Sequence, residues 1–394
     1  MCYTQEGRND SAGHARRRRR NKKEASLGAY HQAALTPGSR VAEYIIESVL
    51  GHGGFGITYL ARDEKLGAQV AIKEYLPAEV AGRTGEGTQV MPQPSKDAIK
   101  HYHWGLRNFV REAQALARFK HENIVRVLRF IETNGTAYTV MEYERGQTLA
   151  QHLKETRQRL NESALFRIIM PILNGLQAVH EAGLLHLDIK PENIYLREDG
   201  RPMLIDFGSA RQAMSENRPS GRVALTRGYA AVEQYPDKGQ LGPWSDVYAL
   251  GATMYRCITG QHPADALERY RAVLAYQADP LVPIGPDARR FRATVIEGVK
   301  SALQIHAKDR PQSARELQDY LVGRAQPRLP AGAPPGTLPA DRPRPRLGLR
   351  GLGWITVVLS LASVAGFVAL YGGADLKAAW DELYRVLAAG LAGS

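Results

Sequence analysis

The chain has 394 residues, of which 44% are apolar, so it is long enough for two or three folded units with a sizeable core. Cys2 and Cys257 are its only cysteines, which argues against a disulfide framework and favours a reducing compartment. The formal net charge of +12 is concentrated in residues 1–40 and 324–350, which leaves the central region nearly neutral, and we therefore expect no nucleic-acid partner.

Residues 1–40 form a basic segment with few apolar side chains, including the arginine run at 16–20. Burial of so few apolar groups cannot offset the entropy of ordering the chain, so the composition predicts a disordered tail. No apolar stretch follows the basic residues, and a cleaved signal peptide is not supported. A solvated tail and an arm that docks on a partner or on anionic lipid both remain open.

Two apolar runs, residues 44–50 and 57–61, flank the glycine-rich stretch from Gly51 to Gly56. The β-favouring residues on both sides predict two strands joined by a hairpin. Glycine allows a backbone to approach phosphate oxygens closely, so we interpret this stretch as a phosphate-covering loop. The same glycine spacing occurs in dinucleotide-binding folds, but there it opens a helix, and the residues after Gly56 favour the hairpin.

Lys73 lies in a third apolar strand, residues 70–73, where an unpaired charge would be costly. Its expected partners are ligand phosphates and the carboxylate of Glu112, on a helix that apolar spacing predicts for residues 105–119. The alternatives are a solubilising lysine on an edge strand and a solvated helix acid. Residues 76–104, which contain several prolines and glycines, are predicted to form a long irregular insertion.

The pattern changes from strands to helices near Gly146. Residues 124–131 and 137–143 are two further predicted strands, joined by the turn Asn134-Gly135. From there to residue 323, apolar residues recur mainly at helical spacing. The sequence thus predicts an α+β unit at residues 41–323, with a β-rich lobe at about 41–143 and a helical lobe at about 144–323.

Two short segments, residues 186–193 and 206–208, carry polar side chains that no core-packing requirement explains. They contain Asp188, Lys190, Asn193 and Asp206. Two carboxylates, an amide and a lysine on neighbouring loops are the groups needed to hold magnesium, position a hydroxyl and neutralise a phosphoryl group during transfer.

With these motifs in this order, residues 44–323 resemble the eukaryote-like (Hanks-type) Ser/Thr protein kinases of bacteria. The resemblance implies the bilobal kinase fold, ATP as phosphoryl donor, and Mg²⁺ or Mn²⁺ as the metal. It implies that Asp188 orients the substrate hydroxyl, that Lys190 steadies the phosphoryl group, and that Asn193 and Asp206 bind the metal. The residues expected around the nucleotide are Gly51, Gly53, Gly56, Thr58, Ala71, Lys73, Glu112, Met141, Glu142 and Tyr143.

The resemblance also implies supporting residues. Thr226 would help to place Asp188, Asp246 would brace the catalytic loop, and Glu233 would form a buried ion pair with Arg310.

Three positions depart from the family pattern. Leu187 stands where many kinases have an arginine that pairs with activation-loop phosphate, so we expect activity to depend less on phosphorylation there. Val232 replaces a usual proline, and Thr58 replaces a usual valine over the adenine.

The C-terminal part divides into three segments. Residues 324–350 contain seven prolines and six arginines, which predicts an extended linker. Residues 351–374 are uncharged, and as a helix of about 36 Å they would cross a hydrocarbon core of about 30 Å. A buried core helix is the alternative. Residues 375–394 have apolar side chains at helical spacing, which predicts an amphipathic tail at the outer surface or a self-association element.

Arginines flank only the N-terminal side of the predicted span. The positive-inside rule then predicts a single-pass protein of the cell (inner) membrane with its kinase domain in the cytoplasm. The function predicted from the sequence is a membrane-anchored Ser/Thr protein kinase that also phosphorylates itself, with protein substrates that the sequence does not identify. A membrane-tethered pseudokinase scaffold and a small-molecule phosphotransferase are the alternatives.

Overall fold

The computed structural model describes residues 33–54, 56–83, 87–156, 159–207, 225–236, 238–285 and 289–327. Within these ranges, no helix is both long enough and apolar enough to cross a membrane. The predicted membrane span at 351–374, the tail that follows it and residues 1–32 of the basic N-terminal segment lie outside the described residues, so those predictions stay untested. Residues 33–40, which the prediction of a disordered tail included, instead pack on the N-lobe, where Leu35 is buried and Arg40 begins the first strand.

The described part of the chain forms a β-rich N-lobe followed by a helical C-lobe, as predicted. In chain order the strands are β1 (Arg40–Val41), β2 (Tyr44–Gly53), β3 (Gly56–Asp63), β4 (Gln69–Tyr75), β5 (Ala81–Arg83), β6 (Val90–Pro92), β7 (Val127–Thr133), β8 (Thr136–Glu142), β9 (Gly146–Thr148), β10 (Ile194–Arg197) and β11 (Pro202–Leu204). The helices are α1 (Lys96–Ala117), α2 (Leu149–Thr156), α3 (Glu162–Glu181), α4 (Pro243–Thr259), α5 (Ala266–Leu274), α6 (Ala293–Ala302) and α7 (Ala314–Val322).

The N-lobe is built on a six-stranded sheet in the order β1-β2-β3-β4-β8-β7, whose neighbouring strands are antiparallel. Strands β5 and β6 form a separate hairpin. In the C-lobe, β9, β10 and β11 form a small sheet that carries the loops on which the predicted catalytic residues lie.

The prediction of an irregular insertion at 76–104 is wrong in part. Residues 81–92 contain the β5–β6 hairpin, and α1 begins at Lys96, nine residues before the predicted helix. Ser95 caps the helix by accepting a hydrogen bond from the amide of Ala98. Ala98, Tyr102 and Phe109 are buried at helical spacing, so the apolar stripe of α1 extends towards its N-terminus.

Each lobe has its own apolar core. The N-lobe core contains Ile57, Tyr59 and Ile72 of the sheet together with Val80 and Val90 of the segment between β4 and α1, and Tyr102 of α1. The C-lobe core is centred on α3 and α4 and also takes in residues of α6 and α7. The site residues described next lie where the strand ends of the first lobe meet the loops of the second.

Candidate active site

One face of the N-lobe sheet carries most of the residues predicted to surround a nucleotide. Strand pairing places Gly51 opposite Thr58, Thr58 opposite Lys73, and Ala71 opposite Met141. Residues directly opposite each other, and residues two apart on a strand, point to the same side of a sheet. These five residues therefore share one face, where the structure brings them together.

Glycine is needed in the β2–β3 hairpin for two different physical reasons. A Cβ added at Gly56 would lie 1.8 Å from the carbonyl oxygen of Glu74, so the pairing of β3 with β4 itself requires glycine there. At Gly51 and Gly53 an added Cβ would meet no atom within 4 Å. The fold does not demand glycine at these two positions, whereas close approach of the backbone to a phosphate would.

Lys73 forms an ion pair with Asp206, with 2.9 Å between Nζ and Oδ1. The pair joins strand β4 of the N-lobe to the loop that follows β11 in the C-lobe. Asp206 has a φ of +58°, in the left-handed region that costs energy for a non-glycine residue and is often found at functional loops. Glu112 lies half-buried on α1, and its predicted pairing with Lys73 stays a prediction.

Met141, Glu142 and Tyr143 occupy the connection that leaves the N-lobe sheet. Met141 is buried and contributes to the C-lobe core, although it pairs with Ala71 of the sheet. Glu142 is the last residue of β8 and is exposed, and strand alternation turns its side chain away from the face of Met141. Only the backbone of Glu142 can therefore contact a ligand on that face, and Tyr143 lies half-buried just beyond the strand.

Asp188 lies at the centre of a hydrogen-bonded cluster. Its Oδ2 is 2.8 Å from Nζ of Lys190, and its Oδ1 accepts a hydrogen bond of 2.8 Å from the hydroxyl of Thr226. Lys190 also donates to the Thr226 hydroxyl oxygen at 3.0 Å. The three side chains form a closed triangle, which fixes the carboxylate against rotation while the lysine holds a positive charge beside it.

Asn193 links this cluster to Asp206. Its Nδ2 donates to the backbone oxygen and to Oδ2 of Asp188, both at 2.8 Å. The amide nitrogen is thus the donor, and Oδ1 is the atom of Asn193 that can bind a cation. An amide oxygen and the Asp206 carboxylate are hard oxygen donors of the kind that Mg²⁺ takes alongside phosphate and water oxygens. The residues fit the predicted metal.

Asp246 of α4 braces the loop that carries Asp188. Its carboxylate, which is fully buried, accepts the amides of His186 at 2.9 Å and Leu187 at 2.7 Å, and it contacts Nε2 of His180 at 2.9 Å. Burial raises the pKa of Asp246, but the hydrogen bond and charge of His180, together with His186, outweigh burial and leave that pKa lowered. The carboxylate is therefore ionised in the folded protein.

His186 is buried and neutral. Burial lowers the pKa of its imidazole, although the nearby carboxylates of Asp246, Asp188 and Asp206 oppose that shift. Nδ1 accepts the amide of Asp188 at 3.3 Å, and Nε2 donates to the carbonyl of Ile205 at 3.2 Å. Its ring also lies 4.4 Å from the ring of Phe207, centroid to centroid. His186 thus ties the Asp188 loop to the Asp206 loop.

The predicted ion pair between Glu233 and Arg310 is present and buried. Nη1 of Arg310 lies 2.7 Å from Oε1 of Glu233, and Nη2 lies 3.1 Å from Oε2. Arg310 also donates to the carbonyls of Gln304 and Ile305. These bonds anchor the segment that contains Thr226 to the body of the C-lobe.

Two residues that support the site were not predicted. Gln234 donates from Nε2 to the carbonyl of Leu187 at 2.9 Å, and His180 contacts Asp246 from α3. Neither residue stands out in the sequence, because each belongs to an ordinary helical or turn segment and is brought to the loop only by folding.

Comparison with known proteins agrees with this geometry. The family described as "Protein kinase domain" matches residues 44–320. The solved structure of PpkA-294 in its apo form is 33% identical, with a TM-score of 0.65 over 73% of this chain and 99% of that one.

Curated relatives are similar over most of the same region. The serine/threonine-protein kinase pkn2 of Myxococcus xanthus is 31% identical over 80% of this chain and 36% of its own length. PknA of Nostoc is 30% identical over 76% of this chain and 50% of its own length. PknL of Mycobacterium bovis is 33% identical over 56% and 50%, respectively. The chain thus spans half or less of the length of these relatives.

Proposed function

The chain belongs to the protein kinase family. From this premise we propose that it is an ATP-dependent protein serine/threonine kinase, anchored in the membrane, that also phosphorylates itself. The observation that carries the proposed transfer reaction is the closed hydrogen-bonded triangle of Asp188, Lys190 and Thr226. A carboxylate held in this way suits a group that must meet an incoming hydroxyl in one orientation.

The proposed mechanism follows from the direction of these bonds. Asp188 accepts the hydrogen bond of a serine or threonine hydroxyl and turns its oxygen towards the γ-phosphorus. Lys190, held 2.8 Å from Asp188, places its positive charge where the transferring phosphoryl group passes. Such preorganised charge lowers the barrier because it needs no rearrangement during the reaction.

Lys73 and Asp206 prepare the nucleotide side. The ion pair holds the lysine at the end of the sheet face that carries Gly51 and Thr58, where it can bind the α- and β-phosphates of ATP. Asn193 and Asp206 would hold Mg²⁺, which neutralises phosphate charge when bound. The residues of both lobes thereby converge on one phosphoryl group.

An intact set of catalytic groups argues against the pseudokinase alternative. Lys73, Asp188, Asn193 and Asp206 are all present and linked by ion-pair or hydrogen-bond contacts. The small-molecule alternative is opposed by the buried Glu233–Arg310 pair and the Thr226 contact, which together fix a segment suited to a peptide substrate.

Transfer of labelled phosphate from ATP by the full chain tests the reaction. We expect the Asp188→Asn variant to lose at least about 10²-fold in rate, because the oriented acceptor is gone. Asp199→Asn is the matched control, since Asp199 is an exposed aspartate that pairs with the exposed Arg201. Equal rates for wild type and Asp188→Asn would remove Asp188 from the mechanism, and no transfer by the wild type would favour the scaffold.

We further propose that residues 351–374 anchor the protein in the inner membrane with the kinase domain in the cytoplasm. The support is their uncharged composition and the arginines Arg342, Arg344, Arg346 and Arg350 on the N-terminal side. We expect the full chain to remain in the membrane pellet after alkaline carbonate washing. The Leu361→Lys, Val364→Asp double variant should be released, and release of the wild type would refute the anchor.

A further inference from the structure

Three successive residues of strand β4 point to three different parts of the N-lobe. Lys73 lies on the face of the sheet that carries the site and pairs with Asp206. Glu74 points to the opposite face and is fully buried. Tyr75, the last residue of the strand, contacts helix α1. Any shift of this strand end would therefore move Lys73.

Glu74 is held by an unusually complete set of hydrogen bonds. Nη2 of Arg83 lies 2.7 Å from its Oε1 and 2.6 Å from its Oε2. The hydroxyls of Tyr59 and Tyr138 each donate to the same carboxylate at 2.8 Å. These partners come from β3 and β8, the two neighbours of β4 in the sheet, and from β5 of the separate hairpin, so one carboxylate is tied to three other strands.

The partners of Glu74 also hold a layer of chain over the outer face of the sheet. We call residues 33–35 and the β5–β6 hairpin the outer cover. Nε of Arg83 donates to the carbonyl of Ala33 at 2.7 Å, and the amide of Leu35 donates to the hydroxyl of Tyr59 at 3.1 Å. Leu35 itself is buried in the N-lobe core. The outer cover therefore keeps the Glu74–Arg83 ion pair buried.

A buried ion pair is not needed simply to stabilise this layer. Apolar residues of similar volume often stabilise a core as well as or better than a charged pair, because both charges must lose their hydration. What a carboxylate held by three directed donor groups adds is a defined position for the strand that carries it.

Tyr75 extends the same connection to α1. Its hydroxyl donates to the carbonyl of Tyr102 at 3.2 Å, and its ring lies 5.4 Å from the ring of Tyr102 and 5.5 Å from that of Phe109. Phe109 is three residues before Glu112, on the same helix. The hydroxyl of Tyr102 in turn donates to the carbonyl of Gly135 in the β7–β8 turn. The N-terminal half of α1 is therefore fixed to the end of β4.

We propose that Glu74 and Arg83 are positioning residues for phosphoryl transfer. Together with the outer cover they hold the end of β4 on the face of the sheet opposite the site, so that Lys73 stays aligned with Asp206. This inference rests on the proposed role of Lys73 in binding ATP phosphates. It gives the segment between Lys73 and α1 a role in catalysis, whereas the sequence alone did not indicate what this segment does.

Two variants loosen the positioning contacts while leaving the charges of the site in place. The Tyr59→Phe, Tyr138→Phe double variant keeps both rings but removes both hydroxyl donors to Glu74. Arg83→Lys keeps the positive charge but cannot contact both carboxylate oxygens and the carbonyl of Ala33 at once. The matched control is Arg201→Met, which breaks an exposed ion pair in the C-lobe.

Three measurements on the full chain separate positioning from simple stabilisation. We expect kcat to fall about 10-fold in both variants while KM for a protein substrate stays within about 2-fold, because misplacing a phosphate-binding group affects the reaction step. Acylation of Lys73 by an acyl-phosphate derivative of ATP should slow by a similar factor. Hydrogen exchange of the β4 amides should quicken, and Arg201→Met should match the wild type throughout.

The inference is overturned if the phosphoryl-transfer rate of the variants falls only in proportion to the fraction of protein that is folded. If kcat per folded molecule and Lys73 acylation equal those of the wild type, Glu74 and Arg83 only stabilise the lobe. If Arg83→Lys fails to fold, the double tyrosine variant decides the matter alone. Failure of the proposed function would look different, since the wild type itself would then transfer no phosphate and would not exceed Asp188→Asn.

Discussion

Asp246 accepts the amide of Leu187 at 2.7 Å, and Leu187 has a φ of +61°, a conformation that costs energy for a leucine. The carboxylate therefore holds the backbone of the catalytic loop in a shape that the loop would not adopt on its own. The same carboxylate accepts the amide of His186, so two successive peptide groups are fixed directly before Asp188.

Replacing Asp246 with asparagine should impair catalysis more than stability. The asparagine side chain can accept only one of the two amides and turns an N–H towards the other, so the strained loop is free to relax. We expect kcat to fall about 10- to 10²-fold, measured by labelled-phosphate transfer alongside the unfolding temperature. Unchanged kcat in a folded Asp246→Asn protein would show that the loop keeps its shape without this brace.

The hydroxyl of Thr226 is expected to matter more than its methyl group. Thr226→Val keeps the volume but removes both the donor to Asp188 and the acceptor for Lys190. We expect a loss of about 10²-fold in kcat for valine and a loss of less than about 5-fold for Thr226→Ser, which keeps the hydroxyl. Equal rates for the valine and serine variants would contradict this role.

Loss of the Glu233–Arg310 pair should lower the stability of the protein more than it lowers the rate of phosphoryl transfer. Both side chains are buried, so Arg310→Met leaves a carboxylate unpaired, at a cost of about 3–5 kcal/mol in the free energy of unfolding. Adding Glu233→Leu removes the orphan charge and should recover at least half of that loss. Urea unfolding measures both, with Arg201→Met as the exposed-pair control. A single variant as stable as the wild type would show that the pair is not needed.

The residues of the site could be predicted from the sequence better than the contacts that hold them. Lys73, Asp188, Asn193 and Asp206 can be predicted from their side-chain chemistry together with the resemblance to protein kinases. The β5–β6 hairpin, the early start of α1 and the Glu74–Arg83 pair were not found, because short strands between prolines and glycines give little periodic signal. In the sequence, Glu74 also looks like an ordinary polar strand residue, because only the structure shows that the outer cover buries it.

Activity should persist without phosphate on the segment between Asp206 and Glu233. Leu187 cannot pair with a phosphate, and the loop is instead held by Asp246 and by the side-chain amide of Gln234. We expect a phosphatase-treated preparation, shown by mass spectrometry to carry no phosphate, to retain at least about half of its initial rate. Loss of nearly all activity on treatment, with recovery after incubation with ATP, would refute this expectation.

The stability of the protein should fall as the pH drops below about 6.5, the ordinary pKa of histidine, and His186 should contribute to that fall. Burial lowers the pKa of His186 in the folded protein, so between the folded value and about 6.5 the unfolded chain binds the extra proton. Proton uptake on unfolding makes stability rise with pH, by at most about 1.4 kcal/mol per pH unit for one group. The lowered pKa of Asp246 acts in the same direction, but only below its own ordinary value of 3.8.

The check is the urea unfolding free energy at pH 7.5 and pH 5.5 for wild type and His186→Gln. The variant should be less stable at pH 7.5, because its contacts with Asp188 and Ile205 are altered, but its stability should change less between the two values. His306→Gln is the matched control, since His306 is an exposed histidine of the same lobe. Identical pH dependence in wild type and His186→Gln would mean that His186 is not the group that takes up the proton.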